Sequence, residues 1–165
     1  VISIKDRGMT GPATVVIQGI GVGMISTANY VARRYGAPPT VVTENGVAER
    51  AEGSLGEALN DEGRVRFMNG YLRATLRAIE EDGADVRGYF AWSFFDNFEW
   101  ADGTSQRFGM VHVDYDGRLG RAWMARRPKR SLTQYREFLS VGKHHQYSSF
   151  LNYRYGAQLI DFIIF

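Results

Sequence analysis

TVVTENGVAER, residues 40–50, places a carboxylate at the end of a short β-branched run. The four residues of TVVT, 40–43, show no polar alternation, the pattern of a strand buried on both faces. Glu44 stands at the mouth of that strand, and a turn is expected directly after it. The longest periodic pattern follows, over about 61–82. Val65, Met68, Leu72, Leu76 and Ile79 are spaced by three and four and draw one apolar stripe along a helix. Asn60 or Asp61 is suited to cap its start, and Gly83 to supply a left-handed residue at its end. VRGYFAW, 86–92, reads as a second buried strand. Strand, helix and strand with a crossover of this length predict a βαβ unit with parallel neighbouring strands.

Outside this unit the signals are shorter. Residues 1–12 are polar and punctuated by Gly and Pro, which reads as loop, and ATVVIQ, 13–18, has strand character. ISTANYVARRY, 25–35, predicts a helix stopped by Gly36 and the pair Pro38-Pro39. RFGMVHVDYDGR, 107–118, alternates and contains Asp116-Gly117, a hairpin signal. Ser131 is suited to cap a last helix running to about Leu139, with Leu132, Tyr135 and Leu139 on one side. The tail, 141–165, mixes His144, His145, several tyrosines and the apolar end DFIIF. No role is assigned to it.

The 165 residues suit one ordinary domain, and 44% hydrophobic residues mark a globular chain. No apolar run approaches the roughly 18 residues of a membrane span, so no membrane role is expected. A net charge of +2 gives no reason to expect a nucleic-acid partner, and the basic crowd between Arg118 and Arg136 reads as a solvated face. The chain has no cysteine, which excludes disulfides, zinc–thiolate sites and a cysteine nucleophile and leaves the compartment open. It opens on Val1 with no signal-peptide pattern, and we expect it to be a piece of something longer.

Glu44 admits two chemical readings. Gly19, Gly21 and Gly23 lie between a strand and a helix, and Glu44 ends a second strand some twenty residues on, the layout of a dinucleotide-binding unit. Met24, however, stands where close helix–strand packing needs a third glycine. The other reading pairs Glu44 with WSFFDNFEW, 92–100, which begins at the carboxyl end of the second strand. In parallel α/β folds ligands bind at that end, so Glu44, Trp92, Glu99 and Trp100 should converge on one mouth. Indole faces and carboxylates suit a sugar, and a carboxylate at the pocket floor can attack an anomeric carbon.

T-E-N-G at 43–46, W-S-x-x-D-N-F-E-W at 92–100, R-F-G-x-x-x-V-D-Y at 107–115 and R-x-P-K-x-S at 126–131 follow one another in order. Over about 30–139 the chain resembles the C-terminal part of glycoside hydrolase family 1, the retaining β-glucosidases. The resemblance implies the end of a (β/α)8 barrel, strands 7 and 8 with their helices, the barrel incomplete. It implies that Glu44 is the catalytic nucleophile and that Trp92 packs against the sugar. Glu99 would hold two neighbouring hydroxyls, with Trp100 beside it and Phe108 lining the same pocket. The Glu99-Trp100 pair implies an unphosphorylated, glucose-like glycone. The resemblance further implies a small β-glycoside as substrate, with no metal and no organic cofactor. Asp96, Asn97, Asp114 and Tyr115 read as framework, and His112 as structural.

The resemblance also sets what is missing. In the family the acid/base is the glutamate of an N-E-P motif, and the chain contains no N-E-P. We expect residues 1–140 to be a partial catalytic domain, inactive alone, with two strands whose edges stay unpaired. Residues 13–24 depart from the family pattern, and the tail after Ser140 has no counterpart in it. A non-catalytic sugar-binding remnant is one alternative, and a dinucleotide-binding module the other.

Overall fold

The computed structural model describes residues 2–5, 14–20, 24–50, 53–117, 123–143 and 161–164. In chain order the elements begin with strands β1 (Ile2–Lys5) and β2 (Thr14–Ile20), helix α1 (Met24–Tyr35), and strands β3 (Thr40–Gly46) and β4 (Glu49–Arg50). Helices α2 (Leu55–Leu59) and α3 (Glu62–Glu80) lead into β5 (Val86–Ala91). Short strands β6 (Gln106–Arg107), β7 (Val111–Val113) and β8 (Arg126–Pro128) precede helix α4 (Arg130–Lys143) and strand β9 (Asp161–Ile164).

The expected βαβ unit is present: β3 and β5 are parallel neighbours joined through α3. They sit inside a five-stranded sheet ordered β1-β2-β3-β5-β9. β2 pairs in parallel with β3, β9 in parallel with β5, and β1 antiparallel with β2. Two expectations are therefore corrected. The parallel run has four strands rather than two, and both outer edges of β2-β3-β5 are paired. The stretch ISIK forms β1 where a loop is expected, because its alternation is only four residues long beside Gly8 and Pro12.

One core joins the helices to the sheet. Val31 and Ala32 of α1, Met68, Tyr71 and Leu72 of α3, and Tyr135 of α4 pack with Val42, Val86, Tyr89 and Ala91. Full burial of an aliphatic side chain of this size contributes about 1.5–3 kcal/mol, so this stripe holds the helices on one face. Val65, Met68 and Leu72 of the predicted stripe are buried, and Leu76 and Ile79 are half-buried. Gly83 does take the left-handed conformation beyond α3, at φ 68°.

Two buried carboxylates fasten the long segment after β5 to this frame. Asp96 accepts from the Gly109 and Val113 amides at 3.0 and 3.3 Å and from Lys129 Nζ at 2.9 Å. Asp61 accepts from Arg64 at 2.5 Å and from the Ser131 amide and hydroxyl at 2.9 and 2.6 Å. Both Asp61 oxygens thus bond Ser131 of α4, Oδ2 also takes the Arg64 side chain, and neither caps a backbone amide of α3. Ser131, expected to cap the last helix, lies inside the first turn of α4 and bonds to Asp61 instead. The hairpin expected around Asp116-Gly117 is present, but with a longer connection than a tight turn. β7 pairs with β8, so its connection runs over 114–125, although Gly117 does adopt φ 70°.

Gly19 lies within β2 rather than after it. Gly21, Gly23 and the tail histidines lie outside the described residues.

Candidate functional site

The register of β3 determines where Glu44 can point. Val42 stands opposite Tyr89 and Asn45 opposite Ala91, so three steps along β3 match two along β5. On the other side Ile17 faces Val42 and Gln18 faces Glu44, two steps against one. β3 therefore carries one extra residue at Thr43, a bulge. Successive strand residues point to opposite faces. Without the extra residue Glu44 would share the helix-covered side with Val42. With it, Asn45 takes that side, where the Tyr89 hydroxyl donates to its Oδ1, and Glu44 takes the other. Tyr89 is 0% exposed. Burial, the largest cause, pushes its phenol far above the usual range and keeps it a neutral donor.

Backbone contacts bring Trp92 to the same place. As the chain leaves β5, the Trp92 amide donates to the Asn45 carbonyl at 2.8 Å. The Trp92–Ser93 peptide is cis. The Trp92 carbonyl oxygen lies where a side chain at position 46 would begin, 1.6 Å from an ideal Cβ on Gly46. The glycine of T-E-N-G is thus required by close approach. The turn expected after Glu44 is absent, since β3 runs on through Asn45 and Gly46.

The loop that follows is fixed by its backbone. Ser93 donates its amide to Phe108 at 3.2 Å and accepts from the Met110 amide at 2.9 Å. Beyond it, the Asn97 amide group donates to Glu99 Oε2 at 2.7 Å, and the Glu99 backbone amide donates to Gly103 at 2.7 Å. Glu99 is half-buried, whereas Trp100 is 87% exposed. Phe108 is only 5% exposed, under the loop rather than on it. Sequence reasoning gave no role to Asn45, Gly46 or Tyr89. The signal for one was available: a tyrosine inside a strand buried on both faces needs a partner for its hydroxyl.

Behind this loop lies a charged cluster. Arg107 and His112 stand 3.8 and 3.5 Å from Asp96, beside Lys129. Burial, then the Arg64 charge, draws the Lys129 ammonium below its usual range, with Asp96 opposing. Burial likewise holds His112 below the ordinary histidine value. A cavity of about 50 Å³ between this cluster and residues 49–58 is lined by Glu49, Arg107, His112 and Lys129. The described residues contain no group of three or more His, Cys, Asp or Glu placed to hold a metal ion. No described helix is long and apolar enough to cross a membrane.

Comparison with known proteins gives a consistent result. The sequence description of glycosyl hydrolase family 1 matches residues 9–144. That match takes in residues 9–29, which the motif resemblance leaves out. β-Glucosidase 4 of Oryza sativa subsp. japonica is 50% identical over 119 residues, 71% of this chain and 23% of its own length. A rice β-glucosidase mutant, solved in a covalent complex with Glc, is 45% identical with a TM-score of 0.62, covering 68% of this chain and 23% of that one. A β-glucosidase from the fungus Humicola insolens, solved with glucose, is 40% identical with a TM-score of 0.65, covering 72% and 24%. The chain thus spans about a quarter of the length of the relatives it matches.

Proposed function

The chain belongs to glycosyl hydrolase family 1, and from that premise we propose that it is the nucleophile-bearing quarter of a retaining β-glucosidase, with Glu44 as the nucleophile. The observation that carries the reading is the bulge at Thr43, which turns Glu44 out of the helix-covered core. It does so at the carboxyl end of β3, beside Trp92 at the end of β5.

The chemistry follows from that position. A Glu44 carboxylate oxygen bonds to the anomeric carbon as the glycosidic C–O bond breaks, and the leaving oxygen takes a proton from a second carboxylic acid. Water, deprotonated by that same group, then releases the sugar with its configuration retained. Glu99, oriented by Asn97, accepts hydrogen bonds from neighbouring sugar hydroxyls. Trp92 and Trp100 offer indole faces to the apolar side of the ring, and Phe108 backs the pocket. A carboxylate at Glu99 would repel a phosphorylated sugar, so the substrate is an unphosphorylated β-glycoside. The covalent Glc complex of the rice relative supports the covalent step.

Retaining hydrolysis needs the two carboxyl groups about 5–5.5 Å apart. The acid/base must come from outside this chain, which has no N-E-P. The purified chain is therefore expected to leave an aryl β-glucoside untouched. A chimera tests both halves of the reading: residues 9–139 replace the matching quarter of a rice relative. That chimera is expected to hydrolyse the aryl glucoside, and Glu44→Gln to slow it by about 10³-fold or more. A 2-fluoro-glucoside should label Glu44 covalently. Turnover by the isolated chain that Glu44→Gln abolishes would sink the claim of inactivity. A chimera that binds glucose, folds and never turns over would favour a sugar-binding remnant.

A further inference from the structure

A closed (β/α)8 barrel has no free sheet edge, because its last strand pairs with its first. The parallel strands β2, β3 and β5 do not close on one another, so without β1 and β9 each side of the three would be a free edge. On the β5 side the strand-then-helix rhythm of the chain runs one step further. β2, α1, β3, α3, β5 and α4 alternate along the sequence, and β9 comes next in the same parallel sense. Its register on β5 is continuous: Gly88 faces Asp161, Tyr89 faces Phe162, Phe90 faces Ile163 and Ala91 faces Ile164.

We infer that β9 is a built-in edge cap, occupying the side of β5 that the first strand of a closed barrel would take. Two physical pressures favour this pairing. β5 reads VRGYFA, and an unpaired edge of that composition presents a row of backbone donors and acceptors to any other strand. The DFII segment is itself apolar, β-prone and almost uncharged, a poor sequence to leave free in water. Pairing the two removes both liabilities. Residues 144–160 separate Lys143 from Asp161, enough chain at about 3.3 Å per residue to return from the end of α4 to the edge of β5. The pairing is exclusive. β9, a second copy of the chain and a barrel's first strand all need the same β5 backbone groups.

Hydrogen exchange on the full chain tests this directly, because it reads backbone pairing. The β5-facing amides within 161–164 and the β9-facing amides within 88–91 are expected to exchange about 10²-fold more slowly than unstructured peptide. Adjacent strand amides face opposite edges, so replacing both Phe162 and Ile163 with proline removes at least one ladder donor. The double variant should speed exchange of those amides in both segments together and leave 40–46 unchanged. A chain ending at Lys143 should lose protection at the β9-facing amides of 88–91 and self-associate in light scattering. If that shortened chain fails to fold, the comparison between the full chain and the double proline variant still decides. The inference is overturned if all of 161–164 exchanges at the unstructured rate, or if every amide of 88–91 ignores the double proline variant. Protection that grows with protein concentration would also overturn it, since the strand would then come from a second copy.

Discussion

Replacing Gly46 with alanine should be among the most damaging single-methyl changes in the chain. The added Cβ would lie 1.6 Å from the Trp92 carbonyl oxygen, 2.7 Å from its carbonyl carbon and 3.3 Å from its Cα. Opening the closest contact to 3.0 Å requires about 1.4 Å of movement between β3 and the Trp92 peptide. Both partners are backbone, so no side chain can rotate away. The movement also stretches the 2.8 Å bond from the Trp92 amide to the Asn45 carbonyl beyond hydrogen-bond range. Overpacking costs about 1–3 kcal/mol, and a buried backbone pair left unsatisfied costs about 1–3 more. We expect a loss of about 3–5 kcal/mol. With a urea m-value of about 2 kcal/mol/M, the unfolding midpoint should fall by about 2 M. Gly70 supplies the control. It is exposed within α3 with nothing within 4 Å of its ideal Cβ, so Gly70→Ala should raise stability by about 0.5–1 kcal/mol. If Gly46→Ala moved the midpoint no more than Gly70→Ala does, the close approach of Trp92 to β3 would be refuted.

Two further outcomes follow from the cluster behind the loop. Asp96→Asn leaves the Lys129 ammonium, 2% exposed, without its carboxylate. It should cost about 3–5 kcal/mol in urea unfolding, with Asp96→Asn plus Lys129→Met recovering part of that loss; an unchanged midpoint for the single variant would contradict the buried pair. Burial is the largest influence holding folded His112 below 6.5; Lys129 and Arg107 add to it, while Asp96 and Asp114 oppose it. The unfolded chain therefore takes up the His112 proton first as pH falls. Stability should drop through about pH 6.5 until the folded value is passed. Urea midpoints at about pH 7.5 and 5.5 should differ less in His112→Gln than in the unaltered chain, and equal differences would refute a buried neutral imidazole.

The parts of the fold legible in the sequence are those with a period. The α3 stripe and the two apolar strands around it predict the βαβ unit within two residues at each end, except that β3 runs three residues beyond the predicted 43. What escaped is local exception or long-range competition. No periodic rule signals a single inserted residue such as Thr43, although that insertion determines the face Glu44 occupies. Ser131 has the chemistry of a helix cap, yet the buried Asp61, seventy positions away, takes its hydroxyl. α2 carried its own signature, the S-x-x-E of Ser54 and Glu57. There each residue bonds the other's backbone, and those bonds draw the Glu57 carboxyl below its usual range. The tail strand had β-prone composition, but its partner lies more than seventy residues away, beyond any short window.

On the proposed reading, the setting of Glu44 is encoded locally, whereas catalysis is not. Everything that aims Glu44 lies between Ile17 and Trp92: a bulge, a parallel neighbour, an Asn45–Tyr89 hydrogen bond and a glycine that admits a carbonyl. None of these contacts needs a ligand or another strand, so the geometry stands preorganised in a quarter of the relatives' length. The second carboxyl group is different. On that reading it would stand opposite Glu44 at about 5–5.5 Å, across a closed ring of strands. The same β5 edge that would help to close that ring is where β9 pairs. Completing the site and capping the sheet are thus competing uses of one row of backbone hydrogen bonds.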